Sequence, residues 1–199
     1  VPVDVDPKTY MLEIDQLRNC NLTDVSAIMI TQLNGVVADM NPIKEFCVQN
    51  NLVLIEDSAQ GIGSFNKDKH AGSWGVGGCL SFYPAKIIGC LGDGGALITN
   101  DDKLADFARS VRDHGRGKDL EAINWGRNSR LDSLNARVIL ERLNQLGDLI
   151  EKRRKIADFY YKNLQNLEDK GFICLPPKFS TNSNSRSTFQ NFEIRAQSR

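Results

Sequence analysis

The chain of 199 residues carries 25 Lys and Arg against 25 Asp and Glu, so its formal charge is zero. That balance builds in no attraction to nucleic acid or an anionic membrane and leaves small, roughly neutral substrates as the expected partners. Hydrophobic residues make up 41% of the chain, enough for one substantial core and part of a second. No apolar run approaches the ~18 residues that a membrane-spanning helix needs.

Five cysteines (Cys20, Cys47, Cys79, Cys90 and Cys174) form an odd, scattered set without a C-x-x-C pair, which supports neither a disulfide framework nor a metal site. The chain reads as soluble and cytoplasmic, with no basic-then-apolar leader at its start. Its opening "VPVDVDP" and closing "FQNFEIRAQSR" are strand-like runs that read as cut ends of something longer.

In chain order, "SAIMIT" (Ser26 to Thr31) is a nearly continuous apolar run, the pattern of a strand buried on both faces. A helix signal follows, with Asn41 as cap, Pro42 at the first helical position, Ile43, Phe46 and Cys47 at helical spacing, and Asn50 and Asn51 as its end. "LVLIED" makes a second buried strand, and "GCLSFY" and "GALITN" two more. "DDKLADFARSVRDHG" reads as a helix with acidic residues in its first turn and an apolar face of Leu104, Phe107, Ala108 and Val111. From Leu131 to Leu167 the period is helical, with Gly147 as the expected break and "EKRRK" (Glu151 to Lys155) as a solvated face. "LPPKFSTNSNSRST" reads as a loop. Strands alternating with helices predict an α/β fold, three layers with a mostly parallel sheet between helices and right-handed crossovers.

Ligands of open α/β sheets sit at the carboxyl ends of the strands. Asp57 stands at such an end, directly after "LVLIE", and Gln60 follows three residues on. Taken alone, Asp57 equally starts a turn or caps a helix. Lys86 lies among apolar residues in "YPAKII", where a lysine either snorkels or gives up its charge. A desolvated lysine has a lowered pKa, and its neutral amine attacks carbonyls. The glycines of "GDGG" (Gly92, Gly94 and Gly95) read as scaffold entering the next strand, and His70 and His114 as structural or exposed.

The segments "EDSAQGIGS", "GSWGVGGCLSFYPAKIIGCLGDGGALITND", "RDHG" and "GRNSRLDSLNA", in that order and spacing, resemble the DegT/DnrJ/StrS sugar-aminotransferase family. The resemblance runs the length of the chain. It implies the pyridoxal-phosphate-dependent, aspartate-aminotransferase type of fold (fold type I). Residues 1–130 would be part of the large cofactor-binding domain, 131–167 a long connecting helix region, and 168–199 the start of a smaller C-terminal α+β domain. Carried over residue by residue, it implies that Lys86 forms the Schiff base with pyridoxal phosphate. Asp57 would pair with the pyridine nitrogen and Gln60 would contact the phenolic side of the ring. Ser81 would help hold the phosphate, and Asn128 would reach the phosphate of the neighbouring subunit in a homodimer with shared active sites. Outside the resemblance, Ser81 is a strand serine and Asn128 a turn asparagine.

The implied reaction moves an amino group from an amino acid, glutamate by expectation, to a nucleotide-linked keto-sugar. In two places the chain departs from the family pattern. Gln32 and Asn34 in "TQLNG" stand where many members have His-x-Tyr-Gly, and Gln190 and Asn191 stand where many carry a histidine close to substrate. A sugar dehydratase of the same fold is the nearest alternative, but such members have histidine where this chain has Lys86. A non-catalytic regulator with the same fold is the other.

Overall fold

The computed structural model describes residues 1–178 and 185–196. After a short helix α1 (Ile14–Arg18), strand β1 (Ala27–Thr31) leads through a tight turn at Leu33–Gly35 into helix α2 (Met40–Gln49). Strand β2 (Val53–Asp57) follows, then the two-residue strands β3 (Phe65–Asn66) and β4 (Lys69–His70). Strands β5 (Gly77–Ser81) and β6 (Gly95–Ile98) precede helix α3 (Asp102–Arg112), and helices α4 (Ser133–Asn144) and α5 (Leu146–Asp169) form the helical stretch. The short strands β7 (Ile173–Cys174), β8 (Ser185–Arg186) and β9 (Arg195–Ala196) complete the described elements.

The main sheet has the order β1-β2-β5-β6. β1 pairs parallel to β2, and β2 parallel to β5, while β6 returns antiparallel to β5. This is the expected α/β layer, a mostly parallel sheet flanked by helices. Two small antiparallel sheets, β4-β3-β8 and β7-β9, stand apart from it.

Local chemistry explains the element boundaries. Helix α2 starts at Met40, one residue ahead of the expected cap, with Asp39 flanking it and Pro42 in the first turn, where a missing N–H costs little. Its inner face is Met40, Ile43 and Cys47, and Asn50 closes it through a side-chain bond to the Phe46 carbonyl at 2.8 Å. Helix α3 is capped by Asp101, whose carboxylate accepts from the N–H groups of Lys103 and Leu104. Phe107, expected on its apolar face, is 54% exposed. The long helical stretch divides at Gln145 rather than Gly147, because Asp132 caps α4 and the chain restarts as α5 immediately after Gln145.

Register gives the sheet two unlike faces, since paired residues on neighbouring strands point the same way. Ile28, Ile30, Leu54 and Glu56 share the face packed against α2 and the segment around Met11 and Leu17. Met29, Val53, Asp57, Cys79 and Ser81 share the other. Burial of β1 and β2 on both faces, expected from their apolar runs, is therefore corrected: Met29 is 67% exposed and the strands alternate. A second cluster, Phe82, Ile87, Ile88 and Cys90 with Ile139 of α4, lies under the loop that carries Lys86.

Candidate active site

β2 and β5 run parallel, so their carboxyl ends open on the same edge of the sheet. Asp57 ends β2 and Ser81 ends β5, and the register Asp57–Cys79 puts both side chains on one sheet face. Asp57 is half-buried, and one carboxylate oxygen accepts from the Ala59 N–H at 3.1 Å. Gln60 follows in the turn after β2, where its Oε1 accepts from the Asn34 N–H at 2.7 Å. The Ser81 hydroxyl oxygen accepts from the Tyr83 N–H at 3.3 Å.

Lys86 sits in the loop between β5 and β6, whose neck is tightly closed. The Phe82 N–H donates to the Gly94 carbonyl and the Cys90 N–H to the Phe82 carbonyl, both at 2.8 Å, and the Cys90 thiol donates to the Phe82 carbonyl at 3.0 Å. Gly94 thus has the scaffold role expected of it. Within the loop, the Lys86 N–H closes a turn onto the Tyr83 carbonyl at 2.9 Å. The apolar burial belongs to Ile87 and Ile88, while Lys86 is half-buried. Of the two expectations, a snorkelling or a desolvated lysine, half-burial of Lys86 beside the buried Ile87 and Ile88 fits the first better. Among the described residues its amine has no hydrogen-bond or ion-pair partner.

Asn128 stands elsewhere. It is exposed, bridges to Asp113 just beyond α3, and accepts from Arg130 Nε at 3.3 Å. No hydrogen bond among the described residues joins it to Asp57, Gln60, Ser81 or Lys86. The preceding loop exposes Leu120, Ile123 and Trp125, the last at 99%.

Sequence reasoning missed the groups that brace this edge. Glu56 is wholly buried and accepts from the N–H groups of Gly72, Trp74 and Gly75 at 2.8, 2.6 and 3.0 Å, and from Gln32 Nε2 at 2.8 Å. The signal was present, since alternation in "LVLIED" puts Glu56 on the inward face with Leu54. Gln32, whose Oε1 accepts from the Ala38 N–H, is buried scaffold. Asn34 holds a left-handed conformation at φ 58°, which asparagine tolerates better than most residues.

His70 is structural, as expected. Its Nε2 accepts from the Gly63 N–H at 2.8 Å and its Nδ1 bonds the Ala71 carbonyl, an arrangement that fits the neutral ring. Burial holds its pKa below the usual histidine range, partly offset by the Ala71 carbonyl and by Glu56.

The segment 187–191 supplies a further brace. The Thr188 N–H donates to the Gly35 carbonyl and the Gln190 N–H to the Asn34 carbonyl, both at 3.0 Å. Gly35 permits this approach: at φ +81° it is left-handed, and a Cβ there would meet Thr188 Oγ1 at 2.5 Å. Arg153 donates to the carbonyls of Phe189 and Gln190, and Arg154 to that of Ser187. The "EKRRK" run is therefore corrected from a solvated face, since two of its arginines clasp this segment.

With this fold and edge in view, the chain belongs to the DegT/DnrJ/EryC1/StrS aminotransferase family, whose model matches residues 1–199. It is 37% identical over 167 residues to the UDP-2-acetamido-2-deoxy-3-oxo-D-glucuronate aminotransferase of Pseudomonas aeruginosa, covering 84% of this chain and 46% of that protein. It is 37% identical over 176 residues to a pleiotropic regulatory protein of Geobacillus stearothermophilus, covering 88% and 47%. The crystal structure of NtdA from Bacillus subtilis with bound cofactor PMP superposes with a TM-score of 0.84 at 31% identity, over 99% of this chain and 44% of that one. The chain spans about half the length of the curated relatives it matches.

Proposed function

We propose that the protein containing this chain is a pyridoxal-phosphate-dependent aminotransferase that transfers an amino group from an amino acid, glutamate being our choice of donor, to a nucleotide-linked keto-sugar. The single observation that carries the reading is the spare bonding capacity of four side chains near one edge. Among the described residues, Asp57 keeps a carboxylate oxygen that no cation pairs, Gln60 an amide N–H pair, Ser81 its hydroxyl proton and Lys86 its amine. These are the acceptor for a protonated ring nitrogen, a donor for a phenolic oxygen, a donor for a phosphate and a nucleophile for an aldehyde. The residues therefore fit pyridoxal phosphate.

Bound there, the cofactor supplies an electron sink for the carbanion that transamination requires. Lys86 would hold the cofactor through its aldehyde, and its free amine would be the base that moves a proton at the substrate carbon. Asp57 keeps a proton on the ring nitrogen and so keeps the ring electron-poor. Ser81 positions the phosphate.

We read the working form as a cytoplasmic homodimer. The exposed Leu120, Ile123 and Trp125 loop suits burial against a second copy, and Asn128 at its end would complete the partner's phosphate site. We read 168–199 as the opening of a smaller unit, because β7 and β9 pair outside the main sheet.

Similarity to a regulatory protein favours a second reading, a regulator that kept the fold. One experiment separates the two. Borohydride reduction of the complete protein with its cofactor, followed by peptide mapping, should label Lys86, and glutamate alone should convert the cofactor's visible spectrum to that of the amine form. A keto-sugar nucleotide should restore it. Label at another residue, or no spectral change with any common amino donor, overturns the aminotransferase reading.

A further inference from the structure

Beyond its own backbone contacts, Gln190 reaches across to the loop that carries Lys86. Its Oε1 accepts from the Ile87 N–H at 3.1 Å, and its Nε2 donates to the Ala85 carbonyl at 3.2 Å. One side chain thus grips the peptide groups on both sides of Lys86. Only a group with a donor and an acceptor in one plane can do this, and a primary amide is such a group.

The gripping side chain is itself held from three directions. Its backbone N–H is fixed to Asn34, its carbonyl to Arg153 of α5, and its neighbour Thr188 to Gly35 and to the Ser64 hydroxyl at 3.0 Å. Asn34 in turn donates to Gln60, so a single chain of bonds runs from Gln60 to the peptides beside Lys86. Asn191 adds a bond to the Asn34 side chain at 3.1 Å.

We infer that Gln190 is a positioning residue for Lys86: its amide fixes the 85–87 peptides so that the amine is presented to the cofactor aldehyde in one orientation. The inference rests on the reading of Lys86 as the cofactor lysine. Its physical basis is that attack of an amine on a carbonyl demands near-attack geometry, and the turn from the Lys86 N–H to the Tyr83 carbonyl shapes the loop without engaging the Ala85 carbonyl or the Ile87 N–H, which Gln190 holds. Its side chain bonds the peptides on either side of Lys86 rather than the amine, so Gln190 acts through the loop.

The test uses the complete protein and the variant Gln190→Met, which keeps the side-chain length and loses both bonds. Hydrogen exchange at the Ile87 amide should speed up by about tenfold, and the rate constant for attachment of added pyridoxal phosphate to the cofactor-free protein should fall by a similar factor. The kcat should fall while the KM for the amino donor stays within about twofold, and the thermal midpoint should move little. Gln190→Glu, which retains the acceptor for Ile87, should recover the exchange protection and part of the attachment rate. Unchanged exchange at Ile87, an attachment rate equal to wild type, an effect confined to KM, or losses that track the folded fraction would each overturn the inference. Borohydride labelling of the wild type separates this result from the function itself. Absence of label at Lys86 overturns both readings, whereas label at Lys86 with Gln190→Met behaving as wild type overturns this one alone.

Discussion

Glu56 and Asp57 are consecutive on β2 and face opposite sides of the sheet: Glu56 is sealed against four donors, while Asp57, at the open edge, accepts from the Ala59 N–H through one oxygen and keeps the other unbonded among the described residues. The buried carboxylate of Glu56 fixes the 72–75 loop to the strand that ends in the half-buried Asp57. Neighbours with the same functional group are thereby left in unlike surroundings, one saturated by donors and one with bonding capacity to spare.

Glu56→Gln tests the structural half. An amide presents its NH₂ to backbone N–H groups and cannot replace charge-assisted acceptance, so unfolding free energy should drop by about 2–3 kcal/mol. Denaturant titration of the complete protein measures this, and a loss under about 0.5 kcal/mol would show that the 72–75 loop holds without the charge.

Asp57→Asn tests the chemical half. The amide retains a bond to the ring region but cannot stabilise a protonated ring nitrogen, so the cofactor should stay bound while turnover falls by about ten- to a hundredfold. Steady-state kinetics beside the visible spectrum distinguishes the two effects. Turnover within a few-fold of wild type would remove Asp57 from this role.

Lys86→Ala and Asn128→Ala test the shared site by complementation. Each variant alone should be poorly active. In a mixed dimer one site carries both lesions and the other carries neither, so with random exchange roughly a quarter of all sites are whole. Activity in mixtures no higher than in the separate variants, with mixed dimers verified by mass spectrometry, would place Asn128 in its own subunit's site or outside any site.

His70 gives a pH dependence of stability whose sign follows from its environment. Burial lowers its folded pKa below the usual 6.5, so between the two values the unfolded chain binds the proton and the folded chain does not. Its contribution is complete above about pH 6.5 and is lost as pH falls from there to the folded value. The stability gap between wild type and His70→Gln should therefore narrow on acidification below pH 6.5. A gap that is constant from pH 8 to pH 5 would mean that His70 titrates alike in both states.

The local signals in the chain were legible where the physics is local. The runs at 26–31 and 52–57 became β1 and β2, the acidic start at 101–102 capped α3, and Asp57 fell at a strand's carboxyl end. Lys86 stood out as a lysine among apolar residues, its implied role and Ser81 came from the resemblance, and the parallel register then put Ser81 on the face of Asp57. What could not be read were ties between distant segments. Nothing near Arg153 or Arg154 announces carbonyls 33 to 37 residues away, and nothing near Gln190 announces peptides at 85 and 87. Apolar runs also overstated burial, because hydrophobicity alone does not say whether a second layer covers the Met29 face of this chain.

The two bonds from Gln190 to the Lys86 loop span 103 and 105 residues of chain. At the usual ribosomal pace of 5–20 residues per second, Gln190 is polymerised roughly 5–20 s after Lys86. Throughout that interval the β5–β6 hairpin can close its neck and the Lys86 turn onto Tyr83, since Phe82, Tyr83, Cys90 and Gly94 are already made, yet the Ala85 carbonyl and the Ile87 N–H lack their Gln190 partner. The loop around Lys86 is thus completed late, when the 187–191 segment is made rather than when Lys86 itself is.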